Sequence, residues 1–164
     1  MSRKLVFVST LMFIIIGILV MPFKVQRVKA SGTIYIRSNG SVEGTTYIVS
    51  DDNVTYVFTA DINNSIVVER SNIIIDGDGY TLQGFGGLYG ENGFSLINII
   101  NITIKNTNIK NFYWGIYVNS TNNVVLSGNI IINNQQDGIV SFVSSNNNIF
   151  GNKIENYWNG ICLY

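Results

Sequence analysis

Histidine is absent from this 164-residue chain, and cysteine occurs once, at Cys162. A single cysteine excludes an internal disulfide. With no imidazole to take its proton, that thiol reads as a bystander rather than a nucleophile. Copper sites draw on His, Met or Cys ligands. The methionines Met1, Met12 and Met21 all precede residue 31, so copper handling is not expected. Positive charge is also scarce. Arg3, Lys4, Lys24, Arg27 and Lys29 all lie before Ser31, whereas every acidic residue follows it. Residues 31–164 therefore carry five basic against ten acidic residues, a net charge of −5. No basic patch is available to neutralise phosphates, which argues against nucleic acid as a partner. The apolar spacing of 3.6 residues that marks a helix is missing from the last third as well.

What that last third has instead is repetition. Ile109-Lys-Asn111-Phe-Tyr-Trp-Gly115-Ile116, Ile132-Asn-Asn134-Gln-Gln-Asp-Gly138-Ile139 and Ile154-Glu-Asn156-Tyr-Trp-Asn-Gly160-Ile161 share the template Ile-x-Asn-x-x-x-Gly-Ile. Their glycines recur at steps of 23 and 22, and Gly93 lies 22 before Gly115. Ile104, Leu126 and Ile149 step by 22 and 23, which places a one-residue insertion between Leu126 and Gly138. A period in this range means stacked supersecondary units. The apolar residues form short β-branched runs, such as Asn101-Ile-Thr-Ile104 and Gly115-Ile-Tyr-Val118, with Asn, Gly and Ser between them. Three short strands and three turns per repeat make one coil of an all-β, right-handed parallel β-helix with 22–23 residues per coil. Coils stacked about 4.8 Å apart align Ile116, Ile139 and Ile161 in one inward column. Ile104, Leu126 and Ile149 form another. Asn111, Asn134 and Asn156 are expected to bond along the stack as an asparagine ladder. A leucine-rich-repeat horseshoe shares the period but needs leucines at L-x-x-L-x-L spacing, and these repeats use Ile and Asn.

Residues 1–30 read as a hydrophobic leader helix. Arg3 and Lys4 precede the apolar run 5–23, and Val28-Lys29-Ala30 ends in a small residue suited to signal peptidase. A retained membrane anchor over 5–23 is the alternative, because the run is long enough to span a bilayer. Either way the remainder is exported, to the cell surface or beyond. Residues 31–70 read as an N-terminal β cap merging into the first coil, since terminal units of a solenoid are atypical. The coils proper occupy 71–164 and begin at Asn72-Ile-Ile-Ile-Asp-Gly-Asp-Gly-Tyr-Thr-Leu82, which aligns with Asn101-Ile-Thr-Ile-Lys-Asn106. Between Leu82 and Gly93 a glycine-rich insertion leaves the coil as a loop, where solenoids carry binding residues.

Gly32-Thr-Ile-Tyr-Ile-Arg-Ser-Asn-Gly40, Ser65-Ile-Val-Val-Glu-Arg-Ser-Asn-Ile-Ile-Ile-Asp-Gly-Asp-Gly-Tyr-Thr-Leu-Gln-Gly84 and the Asn-rich coils together resemble archaeal secreted right-handed parallel β-helix proteins. These carry NosD-like repeats of the carbohydrate-binding and sugar-hydrolase type. The resemblance spans 32–164. It implies the β-helix fold and leaves three functions open: surface or S-layer structure, polysaccharide chemistry, and the copper supply associated with periplasmic NosD.

The residues discriminate among these. Copper lacks its ligands, as above. Polysaccharide cleavage needs clustered carboxylates, for acid/base work or to hold calcium. The most suggestive pair is Asp76 and Asp78, a weak calcium candidate whose Asp-Gly-Asp-Gly context is first of all turn chemistry. Asp51 and Asp52 sit in a cap turn, and Asp137 and Glu155 are isolated. Sugar binding through aromatics is the other candidate. Tyr113 and Trp114 (after Phe112) and Tyr157 and Trp158 occupy the same turn two coils apart, roughly 10 Å along the axis. Their faces would stack on successive sugars, unless they only pack over the corner. Gln135 and Gln136 fill the turn between them. Five Asn-x-Ser/Thr sequons, at Asn39, Asn53, Asn63, Asn101 and Asn119, are candidate glycosylation sites. The sequence reading is an exported surface β-helix with a structural or glycan-adhesion role, no catalytic set and no required cofactor. The runner-up is a fragment of a polysaccharide lyase or hydrolase whose catalytic coils are absent. The chain ends at Gly160-Ile-Cys-Leu-Tyr164 in mid-coil, which predicts either further coils in a longer product or end-to-end self-association.

Overall fold

The computed structural model describes residues 32–86 and 89–164. The expected leader, with its cleavage site and its anchor alternative, lies outside them. Among the described residues no helix is long and apolar enough to cross a membrane.

The described chain is a parallel β-solenoid of about five turns. Its first coil contains β1 (Ile34–Ile36), β2 (Val42–Glu43), β3 (Ile48–Val49) and β4 (Thr55–Phe58). The second has β5 (Ile66–Val68), β6 (Ile73–Asp76) and β7 (Thr81–Gln83); the third has β8 (Asn92–Ile97), β9 (Ile100–Lys105) and β10 (Asn108–Lys110). The fourth has β11 (Trp114–Asn119), β12 (Asn122–Ser127) and β13 (Ile130–Ile132). The fifth has β14 (Ile139–Phe142), β15 (Asn148–Phe150) and β16 (Lys153–Glu155), and β17 (Ile161–Leu163) begins a sixth pass. Sheet A stacks β17-β14-β11-β8-β5-β1-β2, sheet B stacks β15-β12-β9-β6-β4-β3, and sheet C stacks β16-β13-β10-β7. The antiparallel pairs β1–β2 and β3–β4 both fall in the first coil, where the cap was expected. The later pairings are parallel, as one-way winding requires.

Alternation puts every second side chain of a strand inside, and the registers make those side chains columns. Ile34, Ile66, Phe94, Ile116, Ile139 and Ile161 stand one above another in sheet A. Ile75, Ile104, Leu126 and Ile149 do so in sheet B, and Leu82, Ile109, Ile131 and Ile154 in sheet C. The first two columns contain the sets expected from the sequence. The third corrects the repeat alignment, because Ile131 is buried and Ile132 faces outward.

The asparagine ladder is displaced in the same way. Asn134 and Asn156 are bonded, Asn134 donating both its backbone N–H and its Nδ2–H to Asn156 Oδ1 at 2.9 Å. Above Asn134, however, stands Phe112, whose N–H donates to Asn134 Oδ1 at 3.0 Å. Asn111 is turned out of the column with φ +61°, as is Asn133 with φ +55°. Asparagine tolerates that left-handed conformation better than most residues, so its recurrence at these corners has two physical causes rather than one. A second inward ladder joins the backbone N–H of Thr107 to Asn129 Oδ1 and Asn129 Nδ2–H to Asn152 Oδ1, at 3.1 and 3.0 Å.

The recurring glycines have a steric cause. A Cβ on Gly115 would lie 2.5 Å from the carbonyl oxygen of Gly138 and 2.7 Å from Ile131 Cγ2. Gly93 and Gly138 meet the next coil's glycine carbonyl in the same fashion. Each glycine is there because the glycine one coil on lies against it.

Candidate functional site

The outward side of sheet A carries a single file of aromatic rings. Tyr113 and Trp114 leave the corner between sheets C and A at the start of β11, and alternation then presents Tyr117 beyond buried Ile116. Tyr89, from the loop before β8, lies edge-on to Tyr113 at 5.0 Å, and Tyr113 lies edge-on to Trp114 at 5.0 Å. Trp114 stacks on Tyr117 at 5.2 Å and 12°. Tyr117 meets Phe142 at 5.9 Å, and Phe142 stacks on Tyr164 at 4.6 Å and 7°. These separations fall in the favourable range for aromatic pairs, each worth about 0.5–1.5 kcal/mol beyond area burial. Tyr89 and Tyr164, at the two ends, are 85% and 71% exposed. The row crosses the sheet diagonally, because Phe142 pairs with Asn119, two residues beyond Tyr117.

The four aromatics singled out by sequence are thus divided. Tyr113 and Trp114 belong to the row, while Phe112 turns inward and is fully buried. Tyr157 and Trp158 stand in the turn after β16, 81% and 72% exposed. Sequence reasoning missed Tyr89, Tyr117, Phe142 and Tyr164. The signal for two of them was present, since Phe142 and Tyr164 are one period of 22 apart on outward positions.

The acidic candidates serve the fold. Asp76 bridges Lys105 Nζ at 2.9 Å and accepts from the Asp78 N–H at 3.0 Å and from Asn106 Nδ2–H at 3.1 Å. Burial pushes the Asp76 carboxyl up, but the bonds from Lys105, Asp78 and Asn106 outweigh it and hold the group below its ordinary value. Asp78 supplies the left-handed turn residue with φ +48°. Asp52 accepts from the Thr55 and Val54 N–H groups at 2.7 and 2.8 Å, which lowers its pKa. Asp137 is buried and accepts from Asn159 Nδ2–H at 2.7 Å. Glu155 pairs with Lys153 on the surface at 3.2 Å. Cys162 lies outward in register with Val140 and Tyr117.

The sequons separate by what their amides do. Asn101 donates Nδ2–H to Asn72 at 2.6 Å and accepts from Asn123 at 2.9 Å, within an external ladder of left-handed asparagines. Asn119 is half-buried and donates to the Tyr117 hydroxyl at 3.2 Å. Asn39, Asn53 and Asn63 are exposed, the first accepting from Ser41 N–H and Oγ–H in its own turn.

A family model described as "Periplasmic copper-binding protein (NosD)" matches residues 26–164. No curated protein and no solved structure matches the chain. The copper of that description does not fit the residues present. Residues 31–164 offer one thiol and neither imidazole nor thioether, whereas copper selects those donors. The described residues also contain no group of three or more His, Cys, Asp or Glu placed to hold a metal.

Proposed function

The chain belongs to the NosD family, and from that premise we propose an exported, non-catalytic β-solenoid that adheres to glycans through the outer face of sheet A. Export accords with the periplasmic setting of the family and with the leader read from the sequence. The observation that carries the adhesion reading is the unbroken row of six rings from Tyr89 to Tyr164. Tyr and Trp present an apolar face with a polar edge, the combination that a sugar's C–H face and hydroxyl rim demand. The row is one ring wide, with Ser95 and Val140 in register on either side of Tyr117. A single file suits a linear polymer better than the broad apolar core of a protein interface. Non-catalysis is supported by the carboxylates, because Asp76, Asp52 and Asp137 are each committed to structural partners.

The test is retention of the full chain on a panel of immobilised polysaccharides, with product analysis of the soluble phase. Wild type is retained without shortening the polymer, and Trp114→Ala loses retention while its melting temperature falls by only a few degrees. Shortened products would instead establish the lyase or hydrolase alternative. Equal retention of Trp114→Ala would remove the row from the site.

A further inference from the structure

Where sheet C hands the chain to sheet A, coils two to five leave a groove that shares no residue with the aromatic row. Two adjoining hollows of about 390 and 260 Å³ share Asn133 and Tyr157. Asn111 and Gln135 line the first, and Glu155 lines the second. The larger is within the range of small-molecule sites, about 300–1,000 Å³.

The amides of this groove differ from those in the core. Asn134 just beneath, and Asn156 at the floor of the second hollow, use their side chains on the corner ladder and on Phe112 and Ile131. Asn111, Asn133 and Gln135 project from half-buried or exposed positions, and among the described residues none of their side-chain amides has an intramolecular partner. Each offers one acceptor and two donors side by side, which matches the alternating donor and acceptor capacity of adjacent hydroxyls on a sugar ring. Tyr157 adds an exposed aromatic face at the junction of the two hollows. The one charged group lining them is the Glu155 carboxylate, which accepts from hydroxyls and whose charge is offset by Lys153 at 3.2 Å. Left-handed geometry accounts for asparagine at 111 and 133, but it does not account for Gln135 or for Tyr157.

We infer that this groove binds one neutral pyranose unit of the glycan, with Tyr157 against its C–H face and the Asn133 and Gln135 amides on neighbouring hydroxyls. The inference rests on the adhesion reading above and adds to it a ligand class. No Lys or Arg lines the hollows, and the Lys153 ammonium beside them is already paired with Glu155 at 3.2 Å, so a uronate or sulfated sugar gains no partner that a neutral sugar lacks.

Calorimetric titration of the full chain with neutral β-1,4-linked hexasaccharides of glucose, mannose and N-acetylglucosamine, and with hexagalacturonate, tests this. Asn133→Gly keeps the left-handed backbone while deleting the amide, and Gln135→Ala is exposed. Each weakens the best neutral probe by about 2- to 10-fold, the range of one net hydrogen bond. Tyr157→Ala, which cannot disturb the core, gives a second and independent loss. Hexagalacturonate binds more weakly than that neutral probe. Unchanged affinity in all three variants, with binding still lost in Trp114→Ala, overturns the groove and leaves the row standing. Preference for hexagalacturonate overturns the neutral class. No binding of any probe by wild type overturns the adhesion reading and the groove with it.

Discussion

Asn134 is the side chain whose replacement tests the corner ladder most directly. It is fully buried, accepts from the Phe112 N–H at 3.0 Å and donates to Asn156 Oδ1 at 2.9 Å. Asn134→Ala strands a buried backbone donor, which costs about 1–3 kcal/mol, and also deletes an amide–amide bond worth about 1 kcal/mol. The expected loss is about 2–4 kcal/mol, read as a fall in urea midpoint at unchanged slope. Asn134→Asp separates the two contributions. Its carboxyl still accepts from Phe112 but, once ionised, sets a charge against Asn156 Oδ1 in a buried site, so burial raises its pKa in the folded state. Below the unfolded carboxylate value of about 3.9, both states are protonated and the acid can donate to Asn156. As pH rises from there toward the raised folded value, the unfolded chain releases its proton first and stability drains away. The variant should therefore approach wild type near pH 4 and fall furthest behind above neutrality. Because each coil touches only its neighbours, amide exchange should accelerate in β14–β16 before β4–β6. A loss under about 1 kcal/mol for Asn134→Ala, or a pH-independent deficit for Asn134→Asp, would refute the ladder as the corner's support.

The glycine column gives a steric counterpart: Gly115→Ala places a methyl 2.5 Å from the Gly138 carbonyl oxygen. It should cost about 1–3 kcal/mol by overpacking, measurable by thermal melting, and a neutral result would show that the coils slide freely. Asp76 has a folded pKa held below its ordinary 3.8, so its contribution is present above that value and lost as pH falls through the depressed one. Asp76→Asn should cost about 0.5–1 kcal/mol at neutral pH, where a partly exposed pair is weak, and nothing under strongly acid conditions; equal deficits at both would assign the loss to packing. Finally, Ile161 and Leu163 on the outermost strand of sheet A are 44% and 69% exposed. The 164-residue chain expressed alone should therefore associate through that edge, and a stable monomer by light scattering would count against it.

The coil was legible because close packing enforces identity at fixed spacing. Gly93, Gly115 and Gly138 must be small, and Ile116 and Ile139 must fill the same interior column, so the period is written in residue types. The phase was harder to read. Ile131 and Ile132 are both isoleucine, and Asn133 and Asn134 are both asparagine, so type alone could not say which member of each pair faces in. Only the bonds of Asn134 to Phe112 and Asn156 decide it. The aromatic row was half legible for a related reason. Tyr113 and Trp114 are adjacent in sequence, whereas Tyr117, Phe142 and Tyr164 meet only after the coils are stacked in register.

That difference explains why family membership settles so little about ligand. The inward columns and corner ladders are what any chain wound this way must supply, and they dominate the repeat that defines the fold. Outward positions pay no such toll. On β11 alone, Ile116 and Val118 are dictated by the core, while Tyr117 and Asn119 between and beyond them are not. Any copper donors would have to occupy such outward positions, in sets close enough to share an ion. In this chain the outward column through Tyr117 continues as Val140 and Cys162, and the neighbouring positions hold Trp, Phe and amides. One scaffold thus presents different outward chemistry by changing only what the core leaves free. The chemistry here must be argued from Trp114, Phe142, Asn133 and Tyr157 themselves.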